Sequence, residues 1–371
     1  MMYALSIFQN LMDLNMKKAL IIVGIIFVVG LLAYSQRASI AARLMERGLE
    51  SRMGANTVEE LEDGLHLALC GAGGPLPAPK ASGPCVAVVA GKQLFMVDAG
   101  TDGPRNLARM GYQPGTVQGV FLTHFHSDHI DGLGEISTMR WAGGDNDAPL
   151  PVYGPRGVER VVDGFNAAYA QDFVYRHEHH GDLVAPMKAA GMQAIPFDKP
   201  AMGELVVVYE GEGLKVEMLA VDHSPVEPAV GYRFSYKGRS LLITGDTTKQ
   251  DNIQKFSEGI DLLVHEALAP NLVNMMNATA TKLGNEIMAK ITYDILDYHA
   301  SPVEAAETAR DAGVGHLLYY HIVPPLVIPG QDLLYLNGAE DIFPDYTIGE
   351  DGVAFTLPAN SKEIIKTSDG L

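Results

Sequence analysis

A chain of 371 residues with 47% apolar side chains has enough material for a sizeable core, in one large α/β unit or up to three domains. Against 45 Asp and Glu stand 27 Lys and Arg, a formal net charge of -18; polyanions are repelled at long range, and nucleic acid would need a local basic patch to bind. The two cysteines, Cys70 and Cys85, show no CxxC spacing, which excludes a thiolate zinc knuckle. They read as two small buried hydrophobes, although adjacent strands in an oxidising compartment would also permit a disulfide.

In chain order, Ala19 to Gln36 (ALIIVGIIFVVGLLAYSQ) comes first, uncharged and preceded by Lys17 and Lys18. It is long enough to span a membrane with little tilt and also fits a long signal-peptide core. Met16-Lys17-Lys18 opens like a secretory signal, so Met16 is a candidate start beside Met1, and Ala33 and Ser35 would permit cleavage after Ser35. A retained anchor is the reading adopted. Arg37, Arg43 and Arg47 follow on an amphipathic helix to about Met53 and leave the orientation open. Residues 1–53 are thus expected to be a signal anchor or signal peptide with its amphipathic helix. Residues 54–371 are expected to form one domain on the periplasmic or extracytoplasmic side.

From Gly64 onward, strand and helix patterns alternate. Leu65–Leu69, Val86–Val89 and Gln93–Val97 predict strands with Gly/Pro-rich turns between them. Arg105–Met110 predicts a helix, Gly119–Thr123 is an apolar run that stops at a histidine cluster, and Val158–Ala170 has helical periodicity. A second strand group follows at Leu205–Tyr209, Leu214–Ala220, Val230–Tyr236 and Ser240–Thr244, then a helix near Lys249–Phe256 and a strand at Leu262–His265. Val273–Tyr298 predicts one long helix or a broken pair; Pro302–Ala312 is a helix with Pro at its start, and His316–Tyr320 a strand. Two strand groups with helices between them suit a four-layer αββα sandwich, two sheets face to face with helices outside.

The segment Phe121-Leu122-Thr123-His124-Phe125-His126-Ser127-Asp128-His129 carries the chemistry. Apolar residues end at Thr123, so the polar side chains sit in the loop after a strand. His124 and His126 can point the same way from an extended segment, whereas Asp128 and His129 follow a turn and can address a second ion. Three imidazoles and a carboxylate in one short loop form a nitrogen/oxygen donor set suited to zinc.

HxHxDH in this form resembles the signature of the metallo-β-lactamase superfamily, and Thr-His-Phe-His-Ser-Asp-His-Ile-Asp-Gly looks like its hydrolase branch. His223 in Val-Asp-His-Ser-Pro matches the isolated histidine of the first metal, with Gly231-Tyr232-Arg233 after it as in ribonuclease Z-like and arylsulfatase-like members. Asp246 in Thr-Gly-Asp-Thr matches the bridging aspartate, and His321 in Leu-Leu-Tyr-Tyr-His-Ile the last histidine. The resemblance covers about Leu65 to the C-terminal tail. It implies the metallo-β-lactamase fold, with one metal on His124, His126 and His223, another on Asp128, His129 and His321, and Asp246 between them. The implied ions are two Zn2+, with Mn2+ or Fe2+ as alternatives. Two cations that share a hydroxide bring its pKa towards neutrality and offset charge on a phosphoryl, sulfuryl or acyl oxygen. Asp128 would orient that hydroxide, and a homodimer is a reasonable assembly.

Two further motifs bear on the branch. In ribonuclease Z-like and arylsulfatase-like members a Glu and a His pair beside the metals; Val264-His265-Glu266-Ala267 and His299-Ala300-Ser301-Pro302 resemble these, which implies Glu266 as orienter and His299 as general acid. A helix-capping or core histidine is the plainer account of His299. Ala300 stands where ribonuclease Z usually has Ser or Thr. The arm that grips tRNA in ribonuclease Z would follow Tyr153-Gly154-Pro155-Arg156-Gly157. Here Val158–Val184 carries Glu159, Asp163, Asp172, Glu178 and Asp182 against Arg160 and Arg176, the wrong charge for holding RNA. The leading expectation is therefore a hydrolase of small-molecule phosphodiesters or aryl sulfate and phosphate esters, similar to the arylsulfatase-like members. The alternatives are 3′ processing of tRNA, lactone or β-lactam hydrolysis, and a membrane-tethered metal-binding scaffold without chemistry. Asp98 reads either as a support for the ligands or as a turn residue. Gly71, Gly73 and Gly74 form a Gly-rich turn, and Met275 and Met276 read as core or as an apolar lid. His177, His179 and His180 read as a solvated helix end and are not assigned.

Overall fold

The computed structural model describes the backbone of residues 2–53 and 55–368 and the side chains of residues 16–50, 53 and 55–368. Met1, one of the two candidate starts, lies outside them. The chain forms two compact units, Met1–Ala55 and Asn56–Leu371.

The first unit consists of α1 (Met2–Ser35) and α2 (Arg37–Met53). Within α1, Met16–Ser35 is an apolar run of 20 residues with its side chains exposed; at about 1.5 Å per residue it matches the hydrocarbon thickness of a bilayer. In α2, Arg43, Glu46, Arg47 and Glu50 interleave with Ile40, Leu44 and Leu49, so this helix has no comparable run.

The second unit begins with a short helix, α3 (Thr57–Glu60), and then lays down β1 (Gly64–Gly71), β2 (Cys85–Ala90), β3 (Gln93–Val97), β4 (Val117–Phe121), β5 (Leu150–Pro155) and β6 (Met192–Phe197). Between these strands lie α4 (Gly103–Arg109), α5 (Ser127–Ile130), α6 (Leu133–Gly143) and α7 (Val158–His180). The second half holds β7 (Leu205–Gly211), β8 (Leu214–Ala220), β9 (Val230–Tyr236), β10 (Arg239–Ile243), β11 (Leu262–Leu268), β12 (His316–Val323) and β13 (Tyr346–Ile348). Its helices are α8 (Asp251–Phe256), α9 (Pro270–Lys282), α10 (Glu286–Asp294), α11 (Pro302–Ala312), α12 (Gln331–Leu336) and α13 (Ala339–Ile342). Finally β14 (Val353–Pro358) and β15 (Ile365–Ser368) return to the first sheet, which is 8-stranded in the order β15-β14-β1-β2-β3-β4-β5-β6. The other sheet is 7-stranded, β13-β12-β11-β10-β9-β8-β7.

Side-chain alternation makes four layers of this. In β1, Leu65, Leu67 and Leu69 face the opposite sheet and share a core with Phe95, Phe121, Met218, Phe234 and Leu318; Ala68 and Cys70 face outward with Leu107 and Val158. The outer face of the second sheet carries Leu242, Leu263 and Leu317 against Ala305 and Ala309 of α11. Both faces of each sheet are covered, so central strands read as unbroken apolar runs. Phe121 sits at the middle, its ring 4.7 Å from Tyr153 and 5.3 Å from Tyr232; each such buried ring or Leu contributes about 1.5–3 kcal/mol. The expected αββα sandwich is what the chain adopts, behind its apolar N-terminal helix.

The Val273–Tyr298 stretch is the broken pair, α9 and α10, parted at Gly284, whose φ of +69° ends the first helix. Cys70 and Cys85, read above as two buried hydrophobes, are joined by a disulfide across 15 residues. The β1–β2 register shifts between Leu69 and Gly71 and brings the two Cα atoms to 5.0 Å, inside bonding range. In β10, wholly buried Arg239 donates to the carbonyls of Ser361 and Glu363, ahead of β15, and pairs with Asp261 at 2.9 Å.

Candidate metal centre

The site gathers where strands of both sheets run out. β4 ends at Phe121; Leu122 and Thr123 stay buried, His124 opens the loop, His126 precedes α5, and that helix carries Asp128 and His129. β8 delivers His223 and β10 delivers Asp246. Gly245, before Asp246, has φ +64° and lies where a Cβ would stand 2.8 Å from Thr123, so a side chain is refused on both counts. His321 lies within β12 rather than at its end. The ladder passes from Glu266↔Tyr320 to Ala267↔Ile322, leaving His321 as a bulged residue at φ +47°, re-aimed at the centre. Gly74 closes over it: a Cβ there would be 2.9 Å from the His321 ring.

One donor atom each of His124, His126, His223 and Asp246 lies within 4.8 Å of the others, and the same holds for Asp128, His129 and His321. Asp246 belongs to both neighbourhoods. One oxygen is 3.8 Å from His124 Nε2, 3.8 Å from His223 Nε2 and 3.3 Å from His321 Nε2, and the other is 3.4 Å from His129 Nε2. Asp128 stands 3.4 Å from His321 Nε2.

These residues fit divalent cations on two structural grounds. The Nε2 atoms of His124, His129, His223 and His321 and one oxygen of Asp246 are buried without a hydrogen-bond partner, a costly state unless something else binds them. Three of the imidazoles are also fixed from behind through Nδ1, the arrangement that holds a ligating histidine in one tautomer. His129 Nδ1 lies 2.8 Å from Asp98, His223 Nδ1 donates to the Tyr298 carbonyl at 2.8 Å, and His124 Nδ1 is 3.1 Å from the Thr123 hydroxyl, which itself donates to Asp98 at 2.8 Å. Asp98 thus stands behind the cluster as a support. Thr123 and Tyr298 were not singled out from the sequence; the Thr lies inside the quoted motif, but a backbone carbonyl has no sequence signal.

Burial and the neighbouring His129 push His124 well below the usual histidine range, so it is neutral and ready to ligate. Burial works against ionisation of Asp246, yet the surrounding His321 and His129 outweigh it and hold the carboxyl well below the carboxylate range. At the edge, one oxygen of Glu266 receives His299 Nδ1 at 3.0 Å, the Thr247 N–H at 3.0 Å and the Ala300 N–H at 3.2 Å. Burial opposes charge on His299, but Glu266 beside it raises the imidazole to about 9. His299 lies within the same 4.8 Å spacing of Asp246 and His321.

Other candidates lie elsewhere. His177 bonds the Ala185 carbonyl at the end of α7, and His179 and His180 are exposed beside it. Gly71 packs where a Cβ would meet the Gly83 backbone, a structural role. Met275, 59% exposed, is not core and lines a groove with Met276.

Known proteins agree with this architecture. The family described as "Beta-lactamase superfamily domain" matches residues 94–322, a span holding every residue of the centre. The ribonuclease Z of Mycobacterium bovis (strain BCG / Pasteur 1173P2) is 35% identical over 270 residues, 72% of this chain and 89% of that protein. Among solved structures, the metallo-beta-lactamase fold protein YhfI from Bacillus subtilis superposes with a TM-score of 0.56 at 20% identity, covering 80% of this chain and 100% of its own. The short form of human tRNase Z superposes at 0.54 and 19% identity, covering 79% and 99%. These two likenesses are of fold.

Proposed function

The chain belongs to the metallo-β-lactamase superfamily, ribonuclease Z-like, and is a metal-dependent hydrolase; from that premise we propose that it cleaves phosphodiesters at a centre of two divalent cations, with His299 protonating the departing oxygen. In this reading His124, His126 and His223 would hold one cation and Asp128, His129 and His321 the other, with Asp246 in reach of both groups. Zinc suits the imidazole-rich set best. Bound there, the ions would supply the charge that acidifies a water and offsets charge developing on the phosphoryl oxygens. Asp128, at 14% exposure, faces the cleft beside Gly74 and is placed to orient the attacking water.

The observation that carries the reading is the Glu266–His299 pair, 3.0 Å apart beside Asp246 and His321. Nδ1 is committed to Glu266, so the proton on Nε2 is the one free to leave. An imidazole held near 9 carries that proton at neutral pH and can pass it to an alkoxide as the bond to phosphorus breaks.

Within phosphodiesters, the relatives named ribonuclease Z favour RNA over aryl esters, and an aryl sulfate has no such support. α7 speaks for a smaller diester. It is a helix of 23 residues that carries Glu159, Asp163, Asp172 and Glu178 against Arg160 and Arg176, a surface that repels a polyanion. The apolar Met16–Ser35 helix and the Cys70–Cys85 disulfide support a membrane-anchored protein with its catalytic unit on an oxidising side.

The test is hydrolysis of bis(p-nitrophenyl) phosphate, p-nitrophenyl sulfate and a 3′-extended tRNA transcript by the zinc-loaded full chain. Diester cleavage is expected, lost together with bound zinc in Asp246→Ala. Sulfate cleavage alone, or inert diesters with two ions bound, would overturn the proposal. A tRNA precursor cut orders of magnitude faster than the nitrophenyl diester would install the RNA reading in its place.

A further inference from the structure

The surface beside the centre changes character within a few residues. The turn Gly74-Pro75-Leu76-Pro77 walls the small polar cleft that reaches Asp128. Leu76 and Pro77 also wall a second cavity of about 760 Å³, which lies between α9–α10 and the segment Pro324–Gln331 just downstream of His321. Clefts that bury a small ligand measure about 300–1,000 Å³. Among the described residues lining this one, none is charged, in a protein whose net charge is -18. Met275, Met276 and Met288 meet Ile328 and Leu334 there. Methionine adapts its shape to flexible apolar partners.

The groove is also open. Met275 is 59% exposed and Ile328 68%, and on the same hairpin Leu283 and Ile287 are each 76% exposed. Contiguous exposed apolar surface of this kind marks a binding site. The chemistry that suits it is an uncharged, apolar chain, with a polar group beyond the Leu76–Pro77 wall that the groove shares with the Asp128 cleft.

We propose that the groove takes the hydrocarbon tail of an amphiphilic phosphodiester whose head lies at the metal centre, so that the substrate class is a lipid-like phosphodiester. The inference rests on the phosphodiesterase reading and deepens it. Three features favour this occupant: the shared Leu76–Pro77 wall, the lack of charge in the lining, and an apolar helix in the same chain long enough to reach the bilayer where such molecules reside. No new bond chemistry is added: the water oxygen bonds to phosphorus as the P–O bond to the leaving group breaks, the departing alkoxide takes its proton from His299, and the proton shed by the water returns to His299 through solvent.

The experiment uses the zinc-loaded full chain kept soluble in digitonin, which carries no alkyl chain. The substrates are alkyl p-nitrophenyl phosphates from methyl to hexadecyl. The variants are Met275→Asp and Ile328→Asp, both at exposed positions outside the catalytic machinery. Wild-type kcat/KM is expected to rise about two- to fourfold per methylene until the groove is filled. The variants should match wild type on the methyl ester and fall progressively behind as the chain lengthens. A wild-type to variant ratio that stays flat with chain length overturns the inference and leaves the phosphodiesterase reading intact. If no diester is cleaved, that reading fails, and binding judges the groove alone. Saturable fluorescence enhancement of a dansyl-labelled dodecyl phosphate, weakened tenfold or more by Ile328→Asp, upholds it; no binding overturns it. A dimer that Ile328→Asp dissociates, with no probe bound, would assign the groove to a second copy of the chain instead.

Discussion

His129 shows what a single side chain needs in order to serve at this centre. It is fully buried, touches Asp98 through Nδ1 at 2.8 Å and turns Nε2 towards Asp246 at 3.4 Å. Burial disfavours its charged form, but Asp246 and Asp98 prevail and raise it well above the usual histidine range, so a cation would bind by displacing the Nε2 proton. Asp98→Asn keeps the shape and removes the anionic support. We expect zinc affinity or kcat/KM to fall about 10- to 100-fold, read by competition with a chromophoric chelator and by initial rates; an unchanged affinity and rate would make Asp98 a turn residue only. His299→Asn should leave the zinc content intact and cut kcat about 10²- to 10⁴-fold for a diester with an alkoxide leaving group. It should cost far less for a nitrophenolate, which departs without a proton. Equal losses on both substrates would remove the general-acid role. The side chains of the centre were legible because residue type and spacing are sequence properties. What fixes them was legible only in part, since His223 leans on the main-chain oxygen of Tyr298 and His321 depends on a bulge.

Among the elements, the long apolar strands were readable and the interrupted ones were not. β5 (Leu-Pro-Val-Tyr-Gly-Pro) and β6 (Met-Gln-Ala-Ile-Pro-Phe) carry the proline and glycine that normally argue against a strand. Pro196 is tolerated because β6 is an edge, where a missing N–H leaves no neighbour unpaired. α7 runs ten residues beyond its apolar pattern, past Ala170 to His180, where the Asp172–Arg176 pair at 2.6 Å supports a largely polar turn. Spacing alone could not decide the state of the cysteines, because the decisive factor is the β1–β2 register shift. The disulfide between them should matter to stability: replacing both by Ser is expected to cost about 3 kcal/mol in urea unfolding, the loop-closure value for 15 residues. Equal midpoints for variant and wild type would show that the two strands hold each other without it.

At the scale of the molecule, the layered architecture follows from two faces of apolar side chains on each sheet, and the centre sits where strand ends from both sheets converge. Its candidate ligands come from β4, α5, β8, β10 and β12, so ions bound there would tie the two halves together. Chelation should therefore do more than stop turnover. Stripping ions held at about 100 times their dissociation constant removes roughly 2.7 kcal/mol per site, and the melting temperature is expected to fall by about 5 °C or more in calorimetry. An unaltered melt would mean that the two sheets position the ligands unaided.

Arg239 gives the far end of the chain an unexpected importance. Its guanidinium, with no solvent to fall back on, is held through its two terminal nitrogens by the carbonyls of residues 361 and 363 together with Asp261. Peeling that segment away would leave the Asp261 pair in place but take two acceptors from the guanidinium, a loss of about 1–3 kcal/mol for a buried donor left unpaired. The strand that would loosen is β10, and β10 leads straight into Asp246. What looks like a dispensable tail is thus a latch, and a protease nick near Lys362 would be felt as lost grip on metal at the opposite end of the same strand.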